Sequence, residues 1–179
     1  RGGIQDHVGG GFFRYSVDEK WMIPHFEKML YDNGQLLEVF AKAWRLSGNP
    51  LFADAVDGIV DWLEREMVTD SGAFYAALDA DSEGIEGKFY LWTPTQVQQI
   101  IDSKFYPVFA RQYGLDLAAN FEGKWHLHAY CGEAELLDEF GLEAAQYRSQ
   151  KDEVCQLLLT QRATRIRPGL DDKILTSWN

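Results

Sequence analysis

Apolar residues recur at helical spacing from Pro24 to Ser47, through Phe26, Met29, Leu30, Leu36, Leu37, Phe40, Ala43 and Trp44. The stripe predicts a helix over that span, with Pro24 in the first helical position. Gly48-Asn49-Pro50 ends it, because Gly suits the C-terminal cap and Pro cannot continue the helix. A second stripe, Phe52, Val56, Ile59, Val60, Leu63 and Met67, predicts a helix from about Pro50 to Met67. Two helices joined so closely pack antiparallel as an αα-hairpin. Two short aromatic runs follow, at 73–78 and 88–93, with an acidic loop at 79–87 between them. That pattern predicts a β-hairpin with a long loop. Thr93-Pro94 opens a helix to about Ile101, with Thr93 as N-cap. Further helices are expected at 105–113, 133–140 and 142–165. Leu170 onward reads as the start of another helix. The succession of helix, tight turn, helix and decorated loop predicts an all-α chain, mainly helical hairpins with one small β-hairpin.

Composition narrows the function classes. With 179 residues, 46% of them apolar, the chain can build a real core as a single domain or part of one. A net charge of −11 argues against a nucleic-acid surface and an anionic membrane. No apolar run is long enough to span a bilayer. Cys131 and Cys155 form neither a metal spacing nor a disulfide framework, so a reducing, cytoplasmic setting is expected. The chain opens abruptly at Arg1-Gly2-Gly3, without a visible secretory signal.

The densest chemistry lies between Asp6 and Asn33. There Gly9-Gly10-Gly11 permits close backbone approaches, and the polar residues that follow fall at the expected helix start. By spacing, His25, Lys28 and Asp32 share one helix face. His7, His25, His126 and His128 show no zinc spacing, so no metal and no cofactor are expected. A second polar group is Asp79, Asp81, Glu83 and Glu86. Its opening matches a calcium loop, but the twelfth position is Tyr90 rather than Glu, so an EF-hand fails. A solvated turn, looser calcium binding and a catalytic carboxylate pair remain open, the last because clustered carboxylates can raise one another's pKa. Lys88, Tyr90 and Trp92 would alternate on one strand face, where Lys88 could pair with the acids and the aromatics could stack on a sugar. Asp171 and Asp172 open the last expected helix, where acidic residues suit the dipole.

Four stretches carry a resemblance. DHVGGGFFRYSVDEKWMIPHFEKMLYDN at 6–33, ALDADSEGIEGKFYLW at 77–92, NFEGK at 120–124 and GLDDKILTSWN at 169–179 resemble the thioredoxin-domain-containing, spermatogenesis-associated family. The resemblance implies a thioredoxin-like domain followed by an (α/α)6 six-hairpin toroid, similar to N-acylglucosamine 2-epimerases and six-hairpin glycosidases. The chain would be an incomplete N-terminal part of that barrel, covering 1–179, and its exposed helix faces would promote self-association. The function implied is a carbohydrate-active enzyme of epimerase or glycosidase type. The alternative is a non-catalytic scaffold or binding module serving the thioredoxin-like domain. Catalytic candidates are His25 and His7 as base and acid, and Asp81, Glu83 and Asp171 as carboxylates. Arg14, Tyr15, Glu27, Lys88, Tyr90, Trp92 and Asp172 would bind the sugar. Phe13 stands where the family pattern has His, and WHLH at 125–128 is less typical.

Overall fold

A computed structural model describes residues 2–179. In chain order the elements are β1 (Tyr15–Ser16), β2 (Pro24–His25), β3 (Lys28–Met29), α1 (Leu30–Ser47), α2 (Pro50–Trp62) with a π turn at Leu63–Met67, and β4 (Ala77–Leu78). They continue with β5 (Asp81–Ser82), β6 (Ile85–Glu86), α3 (Pro94–Ile100), α4 (Tyr106–Tyr113), α5 (Glu133–Phe140), α6 (Ala144–Arg162) and β7 (Leu170–Asp171).

The helical punctuation behaves as the sequence suggests. Gly48 takes the left-handed conformation and closes α1, its N–H bonding the Trp44 carbonyl, and the Asn49 side chain caps α2 at Leu51. Thr93 caps α3 through a reciprocal pair with Gln96, satisfying two otherwise orphaned donors. The α1 and α2 helices pack against one another around Trp62, Ile59, Leu30 and Phe12. A second core gathers α3 to α6 around Phe109, Tyr113, Leu136 and Leu158, and a third holds Phe13, Phe26, Phe89 and Tyr90.

The expected all-α toroid is not what forms. The structure is 44% helical and 12% strand, a helix-dominant mixed fold with six α-helices and three small sheets among the described residues. Three local readings change with it. The segment 24–29 is extended rather than helical: β2 pairs with β1, and β3 pairs with β4, which also pairs with β7. The helix therefore begins at Leu30, and His25, Lys28 and Asp32 do not share a helix face. The expected long-looped hairpin is replaced by a tight one within the acidic loop, β5 on β6, turned by Glu83 and Gly84 at positive φ. Leu170–Asp171 is a strand rather than a helix start.

The physical reason for the extended 24–29 segment is a long-range one. Lys28 is fully buried, and its Nζ donates to Asp6 Oδ2 at 2.7 Å and to the Gly10 carbonyl at 2.7 Å. Arg162 of α6 clasps the same carboxylate with both terminal nitrogens at 2.9 Å, and the Val8 and Gly9 amides donate to Asp6 Oδ1. Burial pushes the Asp6 pKa up, but Arg162 and Lys28 outweigh it and hold the group well below the ordinary carboxylate range. This buried ion cluster ties the glycine loop, β3 and α6 together. Its demand on the loop is steric: a Cβ on Gly9 would stand 1.8 Å from the Arg162 guanidinium, and one on Gly10 2.0 Å from the Gly58 carbonyl oxygen.

Candidate functional site

The β1–β2 hairpin builds an exposed polar group. Its turn is closed by Asp18, whose carboxylate accepts from the Lys20, Met22 and Ile23 amides. Tyr15 and His25 are cross-strand partners, so their side chains share one face, and their rings stack with centroids 5.1 Å apart and planes inclined by 21°. The Arg14 amide donates to the Glu27 carbonyl, and Arg14 Nη1 donates to Glu27 Oε2 at 2.9 Å. The same Glu27 oxygen lies 3.8 Å from His25 Nε2. On the other side of the ring, His25 Nδ1 is 2.8 Å from Glu86 Oε1, carried in by the acidic hairpin. His25 is thus held between two carboxylates, with about a quarter of its side chain open to solvent.

A third carboxylate completes the group. Asp32, in the first turn of α1, has a buried Oδ2 with no hydrogen-bond partner. Burial raises its pKa; Glu27 adds to the rise and Arg14 opposes it. An Nδ1–H donated to Glu86 leaves His25 Nε2 as an acceptor, oriented from behind by a carboxylate. Asp32, its pKa raised by burial, lies in the same electrostatic neighbourhood as a third carboxylate. The arrangement can take a proton at one group and give one at another.

The remaining sequence candidates are distributed as follows. Asp81 is the cross-strand partner of Glu86 and borders this group, exposed; Glu83 sits at the hairpin turn, bound by Lys88 Nζ at 2.6 Å. Asp171 pairs with Ala77 across the three-stranded sheet and binds Lys173 at 2.5 Å, a contact that lowers its pKa; Asp172 is exposed beside it. His7 lines a different surface, the cleft between α2 and α6. Its Nε2 lies 3.2 Å from the Gly2 carbonyl, and burial pushes its pKa down to about 3. Tyr90 and Trp92 do not line a strand face. They are 4% and 1% exposed, and Arg165 lies 3.9 Å over the Trp92 ring, so neither presents a surface for a sugar. The contribution of Glu86 to His25 was missed, since it spans 61 positions and leaves no local signal. Spacing alone places Asp32 on a helix face with His25 and Lys28, whereas the structure sets it beside the Arg14–Glu27 pair.

Among the described residues, no group of three His, Cys, Asp or Glu side chains is placed to hold a metal ion, and no helix is long and apolar enough to cross a membrane. No family model matches the chain. A search of curated proteins finds relatives over almost the whole sequence. A mouse protein is 38% identical over 206 aligned residues, covering 99% of this chain and 26% of its own length. The chain is similar to spermatogenesis-associated protein 20. The human protein of that name is 35% identical with the same coverage, and an uncharacterised protein of Caenorhabditis elegans is 31% identical, covering 99% of this chain and 28% of its own. These homologues support the spermatogenesis-associated family suggested by the motifs at 6–33 and 169–179. The chain spans about a quarter of the length of the curated relatives it matches.

Proposed function

We propose that the group around His25 is an acid–base site acting on a polyhydroxylated small molecule, in a reaction of sugar epimerase or glycosidase type. The observation that carries this reading is His25 held between Glu86 and Glu27, with Glu27 fixed in turn by Arg14. His25 Nε2 is the base, Asp32 the acid, and the exposed Tyr15 ring gives a face on which an apolar sugar face can stack. Asp81 and Glu86 add carboxylates for a hydrolytic variant of the same chemistry. No cofactor is invoked. A thioredoxin-like domain in the longer protein and a cytoplasmic setting belong to the same proposal; both cysteines here are free thiols.

A second reading, a non-catalytic binding module working with the thioredoxin-like domain, draws on one observation: neither principal cavity of the described chain includes His25. The two readings separate when the full-length protein is incubated with mono- and disaccharides in D2O. An epimerase places solvent deuterium on a sugar carbon, and a hydrolase releases a new reducing end. Absence of both, with no sugar bound at millimolar concentration, leaves the binding module.

A further inference from the structure

We propose that the outward flank of α1 is a two-fold interface with a second copy of this chain, independent of the His25 group. Helix α1 packs on α2 and β3, and of its 18 residues only Leu30 and Asn33 are buried. Leu37 and Phe40 turn onto the core shared with α2, where the Phe40 ring stacks on Phe52. A second apolar stripe, Leu36, Val39, Ala43 and Leu46, runs along the flank beside them. Val39 is 58% exposed and Leu46 89%, with Leu36 and Ala43 half-buried at their side. Steps of three, four and three residues are the a and d spacing of a coiled-coil seam. The helix is therefore apolar on two neighbouring faces, and α2 covers one of them.

The seam is complementary to itself. Two α1 helices set antiparallel about a two-fold axis level with Ala41 bring Leu36 against Leu46 of the second copy, and Val39 against Ala43. Each a residue then faces a d residue, and the pattern repeats on both sides of the axis, as an isologous contact requires. The same axis brings Glu38 of each copy within one turn of Lys42 of the other, roughly 3 Å apart along the helix. Both side chains are solvent-exposed and already pair along the flank within one helix. Charge points to the same face. The chain carries −11, so two copies repel over most of their surface. From Gln35 to Ser47 the helix has one acid, Glu38, and two bases, Lys42 and Arg45, a local charge of +1. Two copies can meet here without opposing acidic surfaces. The seam from Leu36 to Leu46 is about 15 Å long, well short of a standard interface, so the dimer is weak and concentration-dependent.

The test is analytical sedimentation of the full-length protein and of the 179-residue chain over a concentration series. Each should show a reversible monomer–dimer equilibrium. The Val39→Gln, Leu46→Gln protein, changed at exposed positions to a good helix former, should dimerise at least about tenfold more weakly, with an unchanged helical signal in circular dichroism. Glu38→Lys alone should weaken the dimer by about tenfold, because it sets like charges across the seam. Adding Lys42→Glu to it should restore association, since each copy then offers the reversed pair. His25→Gln should dimerise normally, which separates this surface from the acid–base group. A monomer at every concentration, a dimer indifferent to Val39 and Leu46, or a charge reversal without rescue would overturn the proposal. So would a monomeric full-length protein beside a dimeric 179-residue chain, which would show the flank covered within one molecule of the longer protein.

Discussion

Lowering the pH from 7 to 5 should destabilise the protein through its buried histidines, and His126 allows the size to be worked out. His126 is 3% exposed, stands edge-on to Phe26 and Phe13, and its Nε2–H donates to the Gly3 carbonyl at 2.6 Å. Burial pushes its pKa down to about 4, with His128 adding to the fall and the Gly3 bond and Asp6 opposing it. In the unfolded chain the group titrates near 6.5. Between those values the unfolded state binds the extra proton, so stability is complete above about pH 6.5 and is lost as pH falls toward 4. The full loss is about 3 kcal/mol, and about 2 kcal/mol of it falls between pH 7 and 5. That is a large fraction of an ordinary domain's stability, about 5–15 kcal/mol. His7 pulls the same way, by less than its depressed pKa implies, because its ring edge opens on the α2–α6 cleft. Urea unfolding at pH 7, 6 and 5 measures the slope. His126→Gln keeps a donor for Gly3 but removes the titration, so its stability should fall about 2 kcal/mol less over that range than the parent's. Parallel slopes for parent and variant would refute the account of His126 as a neutral buried group.

Four further perturbations probe the packing around the site. Lys28→Met leaves Asp6 buried with Arg162 alone and should cost about 3–5 kcal/mol in urea unfolding; a loss below 1 kcal/mol would remove the ion cluster as the anchor of β3. Gly34 and Gly10 should respond to alanine with opposite signs. Gly34→Ala, in open space within α1, should raise stability by about 0.5–1 kcal/mol, whereas Gly10→Ala, at φ +73° against the Gly58 carbonyl, should lower it and the melting temperature. Burial pushes the Cys155 thiol up to about 11, and its Sγ–H donates to the His7 carbonyl. Alkylation at pH 8 should therefore run roughly a hundredfold slower in the native protein than in urea; equal rates would show an open thiol.

The helices were legible because their signals are local. Glu133–Phe140 falls where its pattern placed it, and Gly48, Asn49 and Thr93 act at the ends they mark. The sheets were not. Each strand is two residues long, too short to display an alternating pattern, and each is specified by a distant partner: Lys28 by Asp6 and Arg162, β4 by β7. Lys88, Tyr90 and Trp92 alternate in sequence, yet tertiary packing draws the two aromatics into the core and leaves Lys88 on Glu83. The site divides in the same way. Arg14, Tyr15, His25 and Glu27 lie close in sequence and emerge together, while Glu86 reaches His25 only through the fold. Arg162 looks like an ordinary helix residue until its surroundings are known.

The central claim is that His25, held between Glu86 and Glu27, moves protons on a sugar. The direct measurement compares turnover by the full-length protein with that of its His25→Gln form, on any mono- or disaccharide the parent converts. Loss of a positioned acid–base group should reduce kcat by about a hundredfold or more, with little change in binding. Equal turnover by the two proteins, or a parent that neither binds nor converts any sugar at millimolar concentration, would contradict it.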